Sequence, residues 1–125
     1  HSGDTETIRK EYDKALDAVG HDIASNAIWT DCIAFHRGIK VTTQYEKGQR
    51  MHQLRLVYHR CLQVPMHGVD RISGEYEAWE RALDPNNPQQ AEQLIAEITP
   101  KHKAARAAYK DRKKIRDSIH HPILP

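Results

Sequence analysis

The chain has 125 residues, 38% hydrophobic and 29% charged, with a formal net charge of +2. That is the size of a single domain and the composition of a soluble helical protein, too apolar for disorder and too hydrophilic for a large interior. No run reaches the roughly 18 apolar residues that a membrane span needs, and no charged-then-apolar leader precedes a cleavage site, so neither a membrane nor a secretory role is expected.

The sequence opens "HSG" without an initiator methionine, which reads as a tag remnant over residues 1–3 ahead of a segment, 4–125, of something longer. Ile8, Tyr12, Ala15, Leu16 and Val19 recur at spacings of three and four and predict a first helix near 5–19, closed by Gly20 at the position after its end. Ser25 is a candidate N-cap for a second helix near 26–37, whose broad apolar stripe holds Ile28, Trp29, Cys32, Ile33 and Phe35 before Gly38 interrupts it. "GIKVTTQY" (38–45) lacks helical period and reads as a loop.

A third helix near 46–63 turns Met51, Leu54, Tyr58, Cys61 and Leu62 inward and must stop at Pro65. Val69, Ile72, Tyr76, Trp79 and Leu83 predict a fourth near 68–83 despite Gly74, and "DPNNP" ends it. Asn87, Pro88 and Gln90 form a capping signature for a short fifth helix near 88–98, with Ala91, Leu94, Ile95 and Ile98 as its buried edge. Thr99 and Pro100 repeat that signature for a sixth near 100–118. No segment alternates with period two, and the fold class is all-α.

Three of these helices carry Arg-x-x-Tyr: Arg9 with Tyr12, Arg55 with Tyr58, and Arg106 with Tyr109. Between them "IWTDCIAFH" aligns with "ISGEYEAWE", setting Ile28 against Ile72, Cys32 against Tyr76, Phe35 against Trp79 and His36 against Glu80. An aromatic helix followed by an Arg-x-x-Tyr helix, recurring at about 45–50 residues, marks a solenoid of antiparallel pairs.

The pattern resembles the half-a-tetratricopeptide (HAT) repeat of RNA-processing scaffolds. "SNAIWTDCIAFHRG", "VYHRCLQVPM" and "ITPKHKAARAAYKDRKKI" resemble the Suppressor of forked family, the HAT-repeat subunit of cleavage stimulation factor. The likeness covers two to three repeats. Cys32 stands where the repeat pattern has Tyr, Ser73 where it has Trp, and Trp79 where it has Phe or Tyr, which marks a divergent member. The resemblance implies a right-handed α-α superhelix of about six antiparallel helices, no cofactor and a nuclear location. It also implies a scaffold that holds protein subunits of the pre-mRNA 3′-end processing machinery, with homodimerisation through repeats outside this segment. The repeat-structural residues are Arg9, Tyr12, Trp29, Phe35, Arg55, Tyr58, Pro65, Tyr76, Trp79, Arg106 and Tyr109. A HAT scaffold of splicing or ribosomal RNA maturation is the alternative.

Catalytic and metal chemistry find little footing. His52 and His59, seven apart with Cys61 near, have no third ligand at metal spacing, and His120 and His121 ahead of Pro122 carry no pattern. No G-x-S-x-G, Walker loop or G-x-G-x-x-G occurs. Cys32 and Cys61 lie in apolar helical patterns and read as reduced core thiols, which fits an intracellular compartment. Trp29, Phe35, Tyr58, Tyr76 and Trp79 have the spacing of core residues rather than of base-stacking platforms. The informative charge feature is the last helix. Lys101, Lys103, Arg106, Lys110, Arg112, Lys113, Lys114 and Arg116 stand against Asp111, a net +7 in sixteen residues; since the whole chain is +2, the rest carries −5. Apart from Arg106, whose equivalents recur where no basic run exists, these residues are candidates for binding a protein partner or RNA, or form a solvated face.

Overall fold

The computed structural model describes residues 2–22 and 25–120, with side chains described for 5–22 and 25–119. Five helices follow one another: α1 (Ser2–Val19), α2 (Asn26–Gly38), α3 (Gln44–Leu62), α4 (Val69–Leu83) and α5 (Pro88–His120). There is no strand among the described residues.

The expected sixth helix is the second half of α5. Asn87, Pro88 and Gln90 do begin a helix, but Thr99 and Pro100 lie inside it. The Thr99 hydroxyl donates to the Ile95 carbonyl at 2.8 Å, a bond of helix interiors rather than of caps. Pro100 removes the one donor that would have met the Ala96 carbonyl. Ala96 and Pro100 are both exposed, so that carbonyl can be hydrated, while Ile95, Ile98, His102 and Ala105 make an unbroken buried stripe along the other side. An apolar stripe that runs through position 100 outweighs one lost bond at the surface.

The packed pairs are α1 with α2, α2 with α3, α3 with α4, α4 with α5, and α3 with α5. This is a stack in which each helix covers the one before it, and the first helix does not pack on the last. The core runs through the middle of the stack as one cluster, including Leu16, Trp29, Cys32, Tyr58, Cys61, Leu62, Met66, Ile72, Tyr76 and Ile98. At the N-terminal edge the expected inward face of α1 is thinly covered: Leu16 is buried and Tyr12 half-buried, but Ile8 and Val19 are exposed, because α1 has a neighbour on one side only. Leu83, also expected inward, is the last residue of α4 and is exposed.

The turns are built into the core. Gly20 has no positive φ and is required by proximity: a Cβ there would stand 2.4 Å from the Leu16 carbonyl and 3.1 Å from the Trp29 ring. Its carbonyl accepts from Trp29 Nε1 and from Ser25 Oγ, each at 3.0 Å. Ser25 therefore occupies the N-cap position of α2 as expected, yet its hydroxyl serves this corner and makes no cap bond. The third helix starts earlier than expected, because Thr43 caps it: Thr43 Oγ1 accepts from the Glu46 backbone N–H at 3.1 Å, and the Glu46 carboxylate answers the Thr43 hydroxyl at 3.2 Å. After α3, Val64 and Met66 are buried on either side of half-buried Pro65. Gly68, at φ 80°, then turns the chain into α4 beside Asn26, whose amide donates to the His67 carbonyl at 2.9 Å.

Candidate interaction surface

The sequence alignment of α2 on α4 reappears as geometry. Tyr12 of α1 meets Phe35 of α2 with ring centroids 5.3 Å apart, and Tyr58 of α3 meets Trp79 of α4 at 5.5 Å. These are the pairs that a repeat of α1/α2 in α3/α4 requires. Tyr58 also packs on Tyr76 at 5.3 Å, and Trp29 is buried with the Arg60 guanidinium 5.6 Å over its ring.

The Arg of each repeat behaves differently because its opposite number differs. Arg55 makes two bonds to Glu80, Nε to Oε2 at 2.9 Å and Nη2 to Oε1 at 2.6 Å, with the Glu80 side chain only 2% exposed. Tyr76 donates its hydroxyl proton to Glu80 Oε2 at 2.6 Å. His59 Nε2, 2.8 Å from the Tyr76 oxygen, must then supply the proton of that bond. The Arg55 guanidinium also lies 5.6 Å over the Trp79 ring. The network fixes α3 to α4: the Glu80 bond raises the Arg55 pKa, and burial followed by the Glu80 bond pushes the Tyr76 phenol well up.

In the first repeat the residue aligned with Glu80 is His36, which is buried, offers no carboxylate, and has a burial-lowered pKa. Arg9 accordingly turns to its own helix, to Glu6 and to Asp13 at 2.9 Å, and makes no ion pair to α2. Arg106 does bridge, but backward, to Asp70 of α4 at 2.8 Å. Tyr109 likewise faces back, its hydroxyl 3.2 Å from His67 Nδ1. Sequence reasoning identified the Arg positions and missed Glu80. The signal was available, since Glu80 lies four residues after Tyr76 on an otherwise apolar face.

Clefts open between the helices. One, of about 760 Å³, lies between the start of α1, the end of α2 and the start of α3, with Arg9, Phe35, His36, Ile39, Tyr45 and Arg50 on its walls. His36 Nδ1 has no hydrogen-bond partner among the described residues. A second, of about 350 Å³, lies where the His67–Asp70 turn meets α5. Neither was visible in the sequence, because each draws on segments far apart in the chain.

The structure places every candidate cation of the basic run on α5. Lys101, Lys103, Lys110, Arg112, Lys113, Lys114 and Arg116 are all exposed, and none makes an ion pair among the described residues. On a helical net Lys103, Lys110, Lys113 and Lys114 share one face with Arg106, while Lys101, Arg112 and Arg116 lie on another. Lys110 and Lys113 reach the smaller cleft. Burial pushes the Cys32 thiol up to about 11 and the Cys61 thiol up as well, as expected of inert core cysteines. No cluster of three metal-ligating side chains occurs among the described residues, and no described helix is long and apolar enough to cross a membrane.

Comparison with known proteins adds a family. The model described as "Suppressor of forked protein (Suf)" matches residues 2–125. The chain is 38% identical to "Cleavage stimulation factor subunit 77" of Arabidopsis thaliana over 114 residues, 91% of this chain and 15% of that protein. It is 30% identical to "mRNA 3'-end-processing protein rna14" of Schizosaccharomyces pombe over 84% of the chain and 14% of the relative. "Protein suppressor of forked" of Drosophila melanogaster is 32% identical over 64% of the chain and 10% of the relative. The chain thus spans between a tenth and a sixth of these relatives.

Proposed function

The chain belongs to the Suppressor of forked family, and we propose that it is a non-catalytic scaffold segment of the nuclear machinery that cleaves and polyadenylates messenger RNA precursors. The observation that carries the reading is the Tyr–aromatic contact repeated within consecutive helix pairs, 5.3 Å in α1/α2 and 5.5 Å in α3/α4. Helix pairs stacked in one register give a rigid extended surface, which is what holding several subunits in a fixed geometry requires. The names of the relatives suggest the process: a protein called a messenger RNA 3′-end-processing protein and one called a cleavage stimulation factor subunit are similar to this chain over 84% and 91% of its length. In this reading the partners are protein subunits of that machinery. The full-length protein self-associates through repeats outside this segment, and no cofactor takes part.

Immunodepletion of the full-length protein from nuclear extract tests the proposal. Cleavage of a polyadenylation substrate should fall and return on adding the wild-type protein, but not on adding an Arg55→Ala/Glu80→Ala variant with a loosened stack. Normal 3′ cleavage accompanied by defective splicing or ribosomal RNA maturation would move the protein to a different HAT assembly.

A further inference from the structure

We propose that the cleft between the His67–Asp70 turn and α5 binds a nucleotide unit of single-stranded RNA, with a base against Tyr109 and the adjoining phosphates on Lys110 and Lys113. The inference rests on the 3′-end processing reading, in which RNA is what the assembly acts on, and it gives this segment a direct contact with that RNA.

Four observations meet at this place. The cleft holds about 350 Å³, room for one small planar group and its attached phosphate and too little for a folded partner. Its walls include the half-buried Tyr109 ring and the exposed His67 ring, with centroids 6.4 Å apart and planes tilted by 54°. Lys110 and Lys113 line it and are exposed. Its one acid, Asp70, is already occupied by Arg106 at 2.8 Å, with His102 Nε2 3.4 Å away, which leaves the two lysines as the free charge. Beyond the cleft the same face of α5 continues with Lys103 and Lys114, a cationic track along which a strand could run.

Single-strand binders combine these two elements, a cationic track for phosphates and an aromatic surface for a base. An acidic protein segment would meet the lysines with its carboxylates, whereas a nucleotide carries a planar ring and a charged phosphate in one unit, which matches an aromatic wall set beside two lysines. That difference favours RNA and makes Tyr109 the residue that decides.

The test is fluorescence anisotropy of a labelled twelve-nucleotide oligouridylate with the purified full-length protein, titrated between 50 and 200 mM salt. Lys110→Gln/Lys113→Gln should weaken binding about tenfold at the lower salt and reduce the log–log salt slope by about 1.4, the value for two lost single-strand phosphate contacts. Tyr109→Ala should weaken binding about tenfold with the slope unchanged, and Tyr109→Phe should bind like wild type, since stacking needs the ring and not the hydroxyl. Circular dichroism confirms that each variant is folded. A wild-type protein that does not bind, or a lysine variant or Tyr109→Ala that binds as wild type does, overturns the proposal. Unchanged RNA affinity with loss of co-purifying 3′-end factors would assign the cleft to a protein partner instead. Because the binding is measured on purified protein and the extract assay reads processing, either proposal can fail alone.

Discussion

The Arg55–Glu80 pair shows how one buried carboxylate decides what a repeated arginine does. In α3 and α4 the carboxylate is present and the two helices are joined; in α1 and α2 its place is held by His36, and Arg9 is left with its own helix. The Arg-x-x-Tyr motif made the arginines legible, while the place of Glu80 on an apolar face was the only local sign of their partner and does not say which residue it meets until the opposite helix is in view. Glu80→Ala leaves Arg55 and the Tyr76 hydroxyl without an acceptor and should cost about 3 kcal/mol in urea unfolding. Arg55→Ala/Glu80→Ala should cost less than the sum of the single changes by about 1 kcal/mol or more. Gly20→Ala tests the corner: with Leu16 and Trp29 in the way, a loss of about 1–3 kcal/mol is expected. His36 and His59 give a pH signature. Burial lowers both from their ordinary value near 6.5, so the unfolded chain binds the extra protons first. Stability should hold above pH 6.5 and fall as pH drops below it. Thermal melts from pH 7.5 to 5.5 would show this, with His36→Gln or His59→Gln flattening the slope.

At the scale of elements, four helices were legible from their apolar period, with boundaries displaced where local bonds override composition. The Thr43–Glu46 cap, a Thr-x-x-Glu signal, extends α3 into residues that read as loop. α5 was misread for a more instructive reason. Thr-Pro has the chemistry of a helix start, and nothing local distinguishes a proline that begins a helix from one that a helix tolerates on its wet side. The buried stripe of Ile95, Ile98, His102 and Ala105, which crosses the proline without a phase break, carried the distinguishing information. Pro100→Ala separates the cases. Restoring the bond to Ala96 inside one continuous helix should raise stability by about 1–3 kcal/mol in denaturant unfolding. A proline at the first turn of a separate helix would give no gain.

For the whole molecule, repeat identity and fold class were visible in the sequence, since the alignment of Phe35 with Trp79 reappears as matching ring contacts. The clefts and the backward reach of Arg106 and Tyr109 were not, because they depend on how α5 lies across the 67–70 turn. A stack has ends, and its ends explain the exposed Ile8 and Val19. It also has a direction, with the +7 of residues 101–116 at its C-terminal side and the compensating −5 elsewhere. The cross-strut between successive Arg-x-x-Tyr helices is visible where Arg60 of α3 reaches Asp13 and Asp17 of α1 at 3.3 and 3.2 Å, and where His102 Nδ1 of α5 donates to the Leu62 carbonyl of α3 at 3.2 Å. These contacts set Asp17 on α1, Gln63 at the C-cap of α3 and Lys103 on α5 at similar heights. Spin labels at those three exposed positions, measured pairwise by double electron–electron resonance, test the stack most directly. With α3 lying between α1 and α5 in one row, the account predicts an Asp17–Lys103 distance about twice that of Asp17–Gln63 or Gln63–Lys103. Three similar distances would mean that α1 closes onto α5 in a bundle, and would contradict it.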